Sequence, residues 1–455
     1  MDAFDEQLKD RLPLACATLE LFDFVFDQPM LAEIYQRHRG RCYEDELRFT
    51  ELLSLVRDAL LQHQGSGHRL FLELERDQSQ PVDESNFYRK LSRMPVAVSR
   101  ALLRQCSARL NELMPVGAVL LPGCFEPFAA VVIDGKKIKR ATHRLKPTRG
   151  YSGSLLGAKA LVAMNARSGL AIAMSDSLDG ETNDVPLVSE LVAQVKEVID
   201  EPILWMADRQ FCDLKTLDRL SERGGDRFLV RVREGLNFQV QTQHRMRDEQ
   251  GREVVDERGI FGSGKKAKLL RRITLLRLGE DDVILITDLM DQKEFDALDL
   301  LKLYRRRWGI EQMFQQVTET FSLEHLIGCR PQAILFQFAL CLLMYNLIQV
   351  LKSYVAEDGC VPMSIVSTYG LFYDVKRELH TWAYLGHGEW SRREYAKQEI
   401  RVRLRSLLSG SWDPVAYTKA SDKQPRKKKP TLRRIEGGHT SVQRLLTGTA
   451  KARQP

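Results

Sequence analysis

Asp134 closes an apolar, β-branched run at 129–133, and Asp208 closes a second apolar run at 202–207. Short runs of this kind predict buried strands. Side chains just past the carboxyl ends of strands in an α/β sheet project into the crevice where ligands bind. Two carboxylates so placed meet at one site, and the chemistry that calls for them is metal-assisted phosphodiester cleavage. There, two divalent ions roughly 3.5–4 Å apart activate the attacking oxygen and stabilise the leaving one. A third carboxylate usually completes such a site, and Glu311 is the candidate. Tyr304, Arg307 and Glu311 are spaced three and four residues apart, so one face of a helix presents a phenol, a cation and a carboxylate together. Arginine offers a fork of donors to phosphate oxygens, and the phenol adds one hydrogen bond.

Taken singly, each residue also has a plainer reading. Asp134 before Gly135 suits a turn, and Asp208 suits a helix N-cap. Arg307 and Glu311 suit a surface pair one helical turn apart. Asp184 reads as an N-cap or turn residue, and Asp281-Asp282 as a hairpin turn. His63 and His68 come near a ligand spacing, but no cysteine pair completes a zinc site around them.

The elements that must position these acids follow from the hydrophobic pattern. Residues 1 to about 115 carry a 3.6-residue rhythm, clearest at 44–62, and predict an all-α region. Within it, 83–91 and 97–113 flank Met94-Pro95 as two helices joined by a short turn, so that a helix-turn-helix and an ordinary helical pair are equally compatible. Strands are then predicted at 129–133, 158–165, 170–175 and 202–207, with a helix between the last two beginning near Asn183-Asp184-Val185-Pro186. Further strand patterns at 227–233, 237–243, 269–278 and 282–289 read as a β insertion. After Asp296 a helix runs through Glu311 to Phe321, and 333–350 reads as a buried core helix.

The composition, 44% hydrophobic and 28% charged, is that of a globular protein able to bury a core. Of the net charge of +7, more than the whole sits in residues 419–455, where eleven Lys or Arg face two acids. The eight cysteines include no Cys-x2-Cys spacing and read as reduced, packed thiols. Acids and bases precede the first apolar run, which is wrong for a secretory signal. The stretch 333–350 contains Gln337, Tyr345, Asn346 and Gln349 and falls short of the roughly 20 apolar residues of a membrane span. A cytoplasmic protein with no membrane partner, associated with the nucleoid when bound to DNA, is the expectation.

The combination of Val132-Ile133-Asp134-Gly135, Met206-Ala207-Asp208-Arg209-Gln210-Phe211 and the run from Tyr304 through Arg305-Arg306-Arg307-Trp308-Gly309-Ile310-Glu311 to Phe314 resembles the insertion-sequence-four family of bacterial transposases. The family's Tyr-x2-Arg-x3-Glu-x6-Lys pattern is matched through Glu311, and a β insertion precedes it. Thr287-Asp288-Leu289 and Tyr345-Asn346-Leu347-Ile348 also fit, so the similarity covers roughly residues 129–352. The pattern departs at its last position, where Thr318 replaces lysine; Arg306, Lys302 and Arg330 are candidate substitutes. Residues 209–300 contain no tryptophan, the residue that stacks on a flipped base in hairpin-forming members.

The resemblance implies an RNase H-like mixed α/β sheet with a β-strand insertion and an N-terminal all-α domain. It implies two Mg²⁺ or Mn²⁺ ions held by Asp134, Asp208 and Glu311. The implied reaction cleaves a phosphodiester at the transposon end, then uses the freed 3′-hydroxyl to attack target DNA. Implied partners are double-stranded DNA, both the terminal inverted repeats and the target, and a second copy of the chain in a homodimer. Tyr304, Arg307 and Arg306 would contact DNA near the cut. Lys427, Lys428 and Lys429 would contact its backbone, and Arg89, Lys90 and Arg93 would contribute to end recognition. The expected organisation is a helical DNA-binding domain at 1–120 and catalytic segments at 125–208 and 296–355 around a β-rich insertion at 209–295. A helical region at 356–418 and a basic, disordered tail at 419–455 would follow. A nuclease on the same fold and a non-catalytic DNA-binding descendant are the alternative readings.

Overall fold

The computed structural model describes residues 10–42, 46–61, 63, 66–78, 82–115, 121–139, 141, 143–149, 151, 153–232, 235, 237–320, 328–384, 395–419 and 439–449. The apolar runs form β1 (Ala129–Lys139), β2 (Ser154–Asn165), β3 (Ala171–Ser177), β4 (Ile203–Ala207) and β5 (Arg227–Arg231). Their order in the sheet is β3-β2-β1-β4-β5. Only β2 runs against its neighbours, while β1, β4 and β5 are mutually parallel. This is the RNase H-like mixed sheet expected from the sequence. β4 is buried along its whole length, as parallel strands covered on both faces must be.

Beyond β5 the sheet continues through an antiparallel meander. It comprises β6 (Phe238–Arg247), β7 (Glu253–Phe261), β8 (Lys268–Leu275) and β9 (Val283–Thr287), and β9 pairs with β5. β7 was not expected, because its centre reads Asp256-Glu257-Arg258. Asp256 is nevertheless buried, accepting from Arg271 Nε at 2.8 Å and from Nη2 at 2.7 Å. Arg271 Nη1 also donates to Phe295 O at 2.6 Å, which ties the insertion to the segment leading into the helix Ala297–Arg305.

The helix Pro331–Asp358 runs through the core. Alone among the described helices it is long and apolar enough to cross a membrane, and its most apolar 18-residue window is entirely buried within the protein. Asn346 on this helix is a buried junction. Its Nδ2 donates to Ser107 Oγ at 2.9 Å and Ala171 O at 2.8 Å, and its Oδ1 accepts from Ala171 N at 2.9 Å. The polar triplet holds β3, the helix Val96–Leu113 and the helix Pro331–Asp358 in one register.

The helices Glu84–Arg93 and Val96–Leu113 do flank Met94 and Pro95, but the second is an interior helix. Val98, Leu102, Leu103, Cys106 and Leu110 are fully buried, and the helix packs on β3 and on Pro331–Asp358. A helix packed against β3 on one side and Pro331–Asp358 on another is not free to lie in a DNA groove, so Val96–Leu113 is a core helix and not a groove-reading one.

The end of the chain also departs from expectation. Residues 439–449, expected to lie in a disordered tail, form β10 (His439–Ser441), parallel to β2, and a short helix Val442–Leu446. Arg444 holds this piece down through Asp179 at 2.8 Å and Glu181 at 2.6 Å, while Gly180 N donates to Ser441 Oγ at 3.0 Å. A high positive charge does not exclude folding where a matching acidic loop is in reach.

Candidate active site

β1 and β4 pair in parallel with Ile133 opposite Ala207. Asp134 and Asp208 occupy the next step of that register, on strands spaced roughly 4.8 Å apart. Asp134 Oδ1 accepts from the backbone N–H of Gly135 at 2.8 Å. The opposite face at this point has no space for a side chain: a Cβ on Gly135 would stand 1.9 Å from Asp184 Oδ1. Asp184 forms a buried ion pair with Lys159 at 2.5 Å, so its role is larger than that of a turn residue.

The third acid arrives on a helix that is broken where the sequence predicts continuity. One helix ends at Arg305 and the next begins at Trp308, with Arg306 and Arg307 in the turn between them. The break turns Arg307 inward and leaves Arg305, Arg306 and Trp308 exposed. Tyr304, expected to donate to a phosphate, is buried, and its hydroxyl donates to Ala207 O at 3.2 Å. It thereby clamps the end of the first helix to the strand terminus that carries Asp208.

Arg307 then becomes the centre of the site. Its Nη2 donates to Glu311 Oε1 at 2.7 Å, and its Nη1 lies 3.9 Å from Asp134 Oδ2. Arg307 is only 8% exposed and its guanidinium sits 5.7 Å from the centre of the Tyr304 ring, yet Nε and Nη1 have no hydrogen-bond partner. Burial pulls its pKa down, but Tyr304, Glu311 and Asp208 together hold it above the ordinary arginine value. Burial pushes Asp134 up to about 6, and the negative charges of Glu311 and Asp208 act in the same direction against the Gly135 N–H and Arg307. Burial likewise raises the Tyr304 phenol.

Three acids therefore share one electrostatic site. Among the described residues no three His, Cys, Asp or Glu side chains converge as a ready ligand cluster, and Arg307 lies between Asp134 and Glu311. The donor set nonetheless suits Mg²⁺ or Mn²⁺, which take carboxylate oxygens. Partly buried, mutually repelling acids are also what an additional cation would relieve.

Lys136 was missed in the sequence. It follows Asp134 by two positions and so shares its face of β1. Its Nζ donates to Thr318 Oγ1 at 2.9 Å, bringing an ammonium to the helix position where the family pattern has lysine. Of the substitutes considered, Lys302 is paired with Glu249 at 2.9 Å, and Arg306 and Arg330 are exposed. Two nearby acids would fit the third position only in another helix register: Glu319 accepts from Gln315 on an exposed surface, and Glu324 lies outside the described residues. Lys427, Lys428 and Lys429 also lie outside them. His63 and His68 face Glu73 and Glu84 respectively, and Asp282 accepts from Arg277 N at 2.9 Å in the turn before β9.

Residues 127–347 match the family described as the transposase DDE domain. This segment is similar to transposase DDE domains. The matched segment spans the sheet with its two aspartates, the β insertion, the broken helix with Glu311 and the first part of the central helix. A Synechocystis protein named as the transposase of insertion sequence element IS4SA is 22% identical over 148 residues, 32% of this chain and 40% of that protein. The transposase y4zB of Sinorhizobium fredii is 23% identical over 181 residues, 38% of this chain and 48% of that protein. The match therefore spans less than half the length of either relative. The solved synaptic complex of piggyBac transposase with hairpin DNA aligns over 87% of this chain and 85% of that one, with 14% identity and a TM-score of 0.37.

Proposed function

We propose that this chain is a DNA transposase, cutting phosphodiester bonds at the ends of a mobile element and joining the freed 3′-hydroxyl ends to target DNA. The observation that carries the reading is one buried arginine, Arg307, paired with Glu311 and 3.9 Å from Asp134 midway along β1, with the charge of Asp208, just past the end of the adjacent β4, acting on both Asp134 and Arg307.

Asp134, Asp208 and Glu311 would hold two divalent cations. Mg²⁺ or Mn²⁺, when bound, supplies charge neutralisation at the phosphate and makes water a competent nucleophile near neutral pH. Arg307 carries two buried nitrogens, Nε and Nη1, without acceptors, each a donor available to a phosphate oxygen entering the site. Lys136 adds a second cation on the same face, and Tyr304 fixes the geometry by holding the helix end to β4. Arg305 and Arg306, exposed at the helix break, would track the flanking DNA backbone and confer salt-sensitive affinity. The helices before residue 120 and the basic stretch at 427–429 would add DNA contacts outside the catalytic segments, and two copies of the chain would hold two DNA ends.

The test is cleavage and joining on a labelled duplex carrying the element's own end, with Mg²⁺, for wild type and for Asp134→Asn, Asp208→Asn and Glu311→Gln. Joined products from wild type, with all three variants binding DNA but leaving it uncut, are expected. Cleavage without joining would favour a nuclease of the same fold. Binding by wild type without any cut would overturn the catalytic reading.

A further inference from the structure

Residues 178–184 leave β3 after Ser177, which lies opposite Lys159 on β2, and end with Asp184 against Gly135 of β1. The loop therefore crosses β2 to reach the strand that carries Asp134. Inside it the hydrogen bonds are local: Ser177 Oγ meets Thr182 Oγ1 at 2.8 Å, and Glu181 N donates to Asp179 Oδ1 at 3.0 Å. Among the described residues, every hydrogen bond from 179–181 to a distant part of the chain goes to Ser441 or Arg444. Arg444 Nε donates to Asp179 Oδ2 at 2.8 Å and Nη1 to Glu181 Oε2 at 2.6 Å. Ser441 N donates to Glu181 Oε1 and Gly180 N to Ser441 Oγ, both at 3.0 Å.

The far end of the loop has no slack. A Cβ on Gly135 would stand 1.9 Å from Asp184 Oδ1, and buried Lys159 holds the Asp184 carboxylate there at 2.5 Å. Gly135 in turn donates its N–H to Asp134 Oδ1 at 2.8 Å. A peptide that fixes one carboxylate oxygen and is itself backed by a packed side chain passes a shift of that side chain on to the carboxylate, because a close-packed interior transmits strain. A misplacement of about 1 Å in a reacting group can cost roughly a hundredfold in rate.

We infer that Arg444 is a positioning residue for the acid centre, holding the loop 178–184 so that Asp184 backs Gly135 and the Asp134 carboxylate keeps its orientation. The inference rests on the transposase reading for the reaction that this orientation serves. The plainer account is that 439–449 only closes the edge of β2. β10 and the buried Ser441 and Val442 accomplish that closure. Arg444 lies beyond them, and both of its ion pairs are to acids of the loop.

The experiment measures cleavage within preformed complexes, duplex affinity and amide hydrogen exchange in the full chain. The variants are Arg444→Gln, Arg444→Lys, Asp179→Asn/Glu181→Gln and Arg444→Gln/Asp179→Asn/Glu181→Gln. All three side chains are partly exposed, so the variants should fold, with unfolding midpoints within about 4 °C of wild type. Arg444→Gln is expected to slow cleavage at saturating DNA by roughly tenfold or more, with duplex affinity within about twofold of wild type. Arg444→Lys, which keeps a cation in reach of one acid, should recover most of the rate. The loop variant should match Arg444→Gln, and the triple variant should fall less than about twofold further, because the groups act through one contact. Exchange in the DNA-free Arg444→Gln protein should quicken at 178–187 and at 134–137 and stay unchanged in β7 and β8. Lost affinity at an unchanged saturated rate would make Arg444 a DNA contact and overturn the inference. An unchanged rate, with exchange quickened only at 178–182 and 439–449, would reduce the segment to closure of the sheet edge and overturn it equally. A wild type that cuts no duplex would instead remove the transposase reading, and this inference with it.

Discussion

Arg307 and Glu311 are joined by a 2.7 Å hydrogen bond, Nη2 to Oε1, across the first turn after the helix break. The same guanidinium reaches toward Asp134, so an internal cation holds the acids together before any metal or DNA does. Removing it should cost the metal-free protein about 1–2 kcal/mol, since two partly buried carboxylates lose their counter-charge. Arg307→Ala is expected to lower the unfolding temperature without divalent ions, and Mg²⁺ should recover part of the loss. An equal deficit with and without Mg²⁺ would show that Arg307 does not balance the acids.

Asp134→Asn should abolish activity and yet stabilise the metal-free fold. Burial raises the folded-state pKa of Asp134 from 3.8 to about 6. Between those values the folded state binds more protons than the unfolded one, so stability falls as pH rises and the cost is complete above about pH 6. Asparagine removes the cost, and the variant should exceed wild type by about 1–2 kcal/mol at pH 7 but by little at pH 4. Thermal unfolding across that range measures the difference, and a gap that does not grow with pH would refute the assignment.

Lys136→Ala is expected to reduce cleavage three- to thirtyfold at limiting DNA and to lower the salt slope of binding by about one, as loss of one phosphate contact should. Thr318→Lys in the Lys136→Ala background should restore much of the loss by returning the ammonium from the helix side. Full activity in Lys136→Ala would show that Lys136 serves Thr318 alone.

Gly135→Ala adds a single methyl next to Asp134, but that methyl would fall 1.9 Å from Asp184 Oδ1. Either β1 shifts or the buried Lys159–Asp184 pair separates. A destabilisation of about 2–4 kcal/mol is expected in denaturant unfolding, with activity lost in the surviving folded fraction. A variant as stable as wild type would mean that the Asp184 side chain can move aside freely.

The sheet around the candidate site was legible because its strands carry uninterrupted apolar runs; Asp208 follows the end of β4 as read, whereas β1 runs five residues beyond Asp134 to Lys139, through polar residues that hid the extension. The helix break at Arg306-Arg307 was not, since the spacing of Tyr304, Arg307 and Glu311 fits a continuous helix equally well. β7 was hidden by Asp256, whose burial depends on Arg271, fifteen residues away in sequence. Lys136 carried a readable signal in its two-residue offset from Asp134, but its value depends on Thr318, a contact across 182 positions. The fold of residues 439–449 was masked by the basic composition around them, because composition does not reveal the acidic loop at 179–181 that receives Arg444.

The central claim is that Asp134, Asp208 and Glu311 form one metal-binding centre. Its most direct test is Mn²⁺ binding, followed by electron paramagnetic resonance, to the full chain bound to a duplex carrying the element's end. The account predicts tight Mn²⁺ sites in wild type that weaken at least tenfold in each of Asp134→Asn, Asp208→Asn and Glu311→Gln, with DNA affinity retained. Mn²⁺ binding unchanged in all three variants would contradict it.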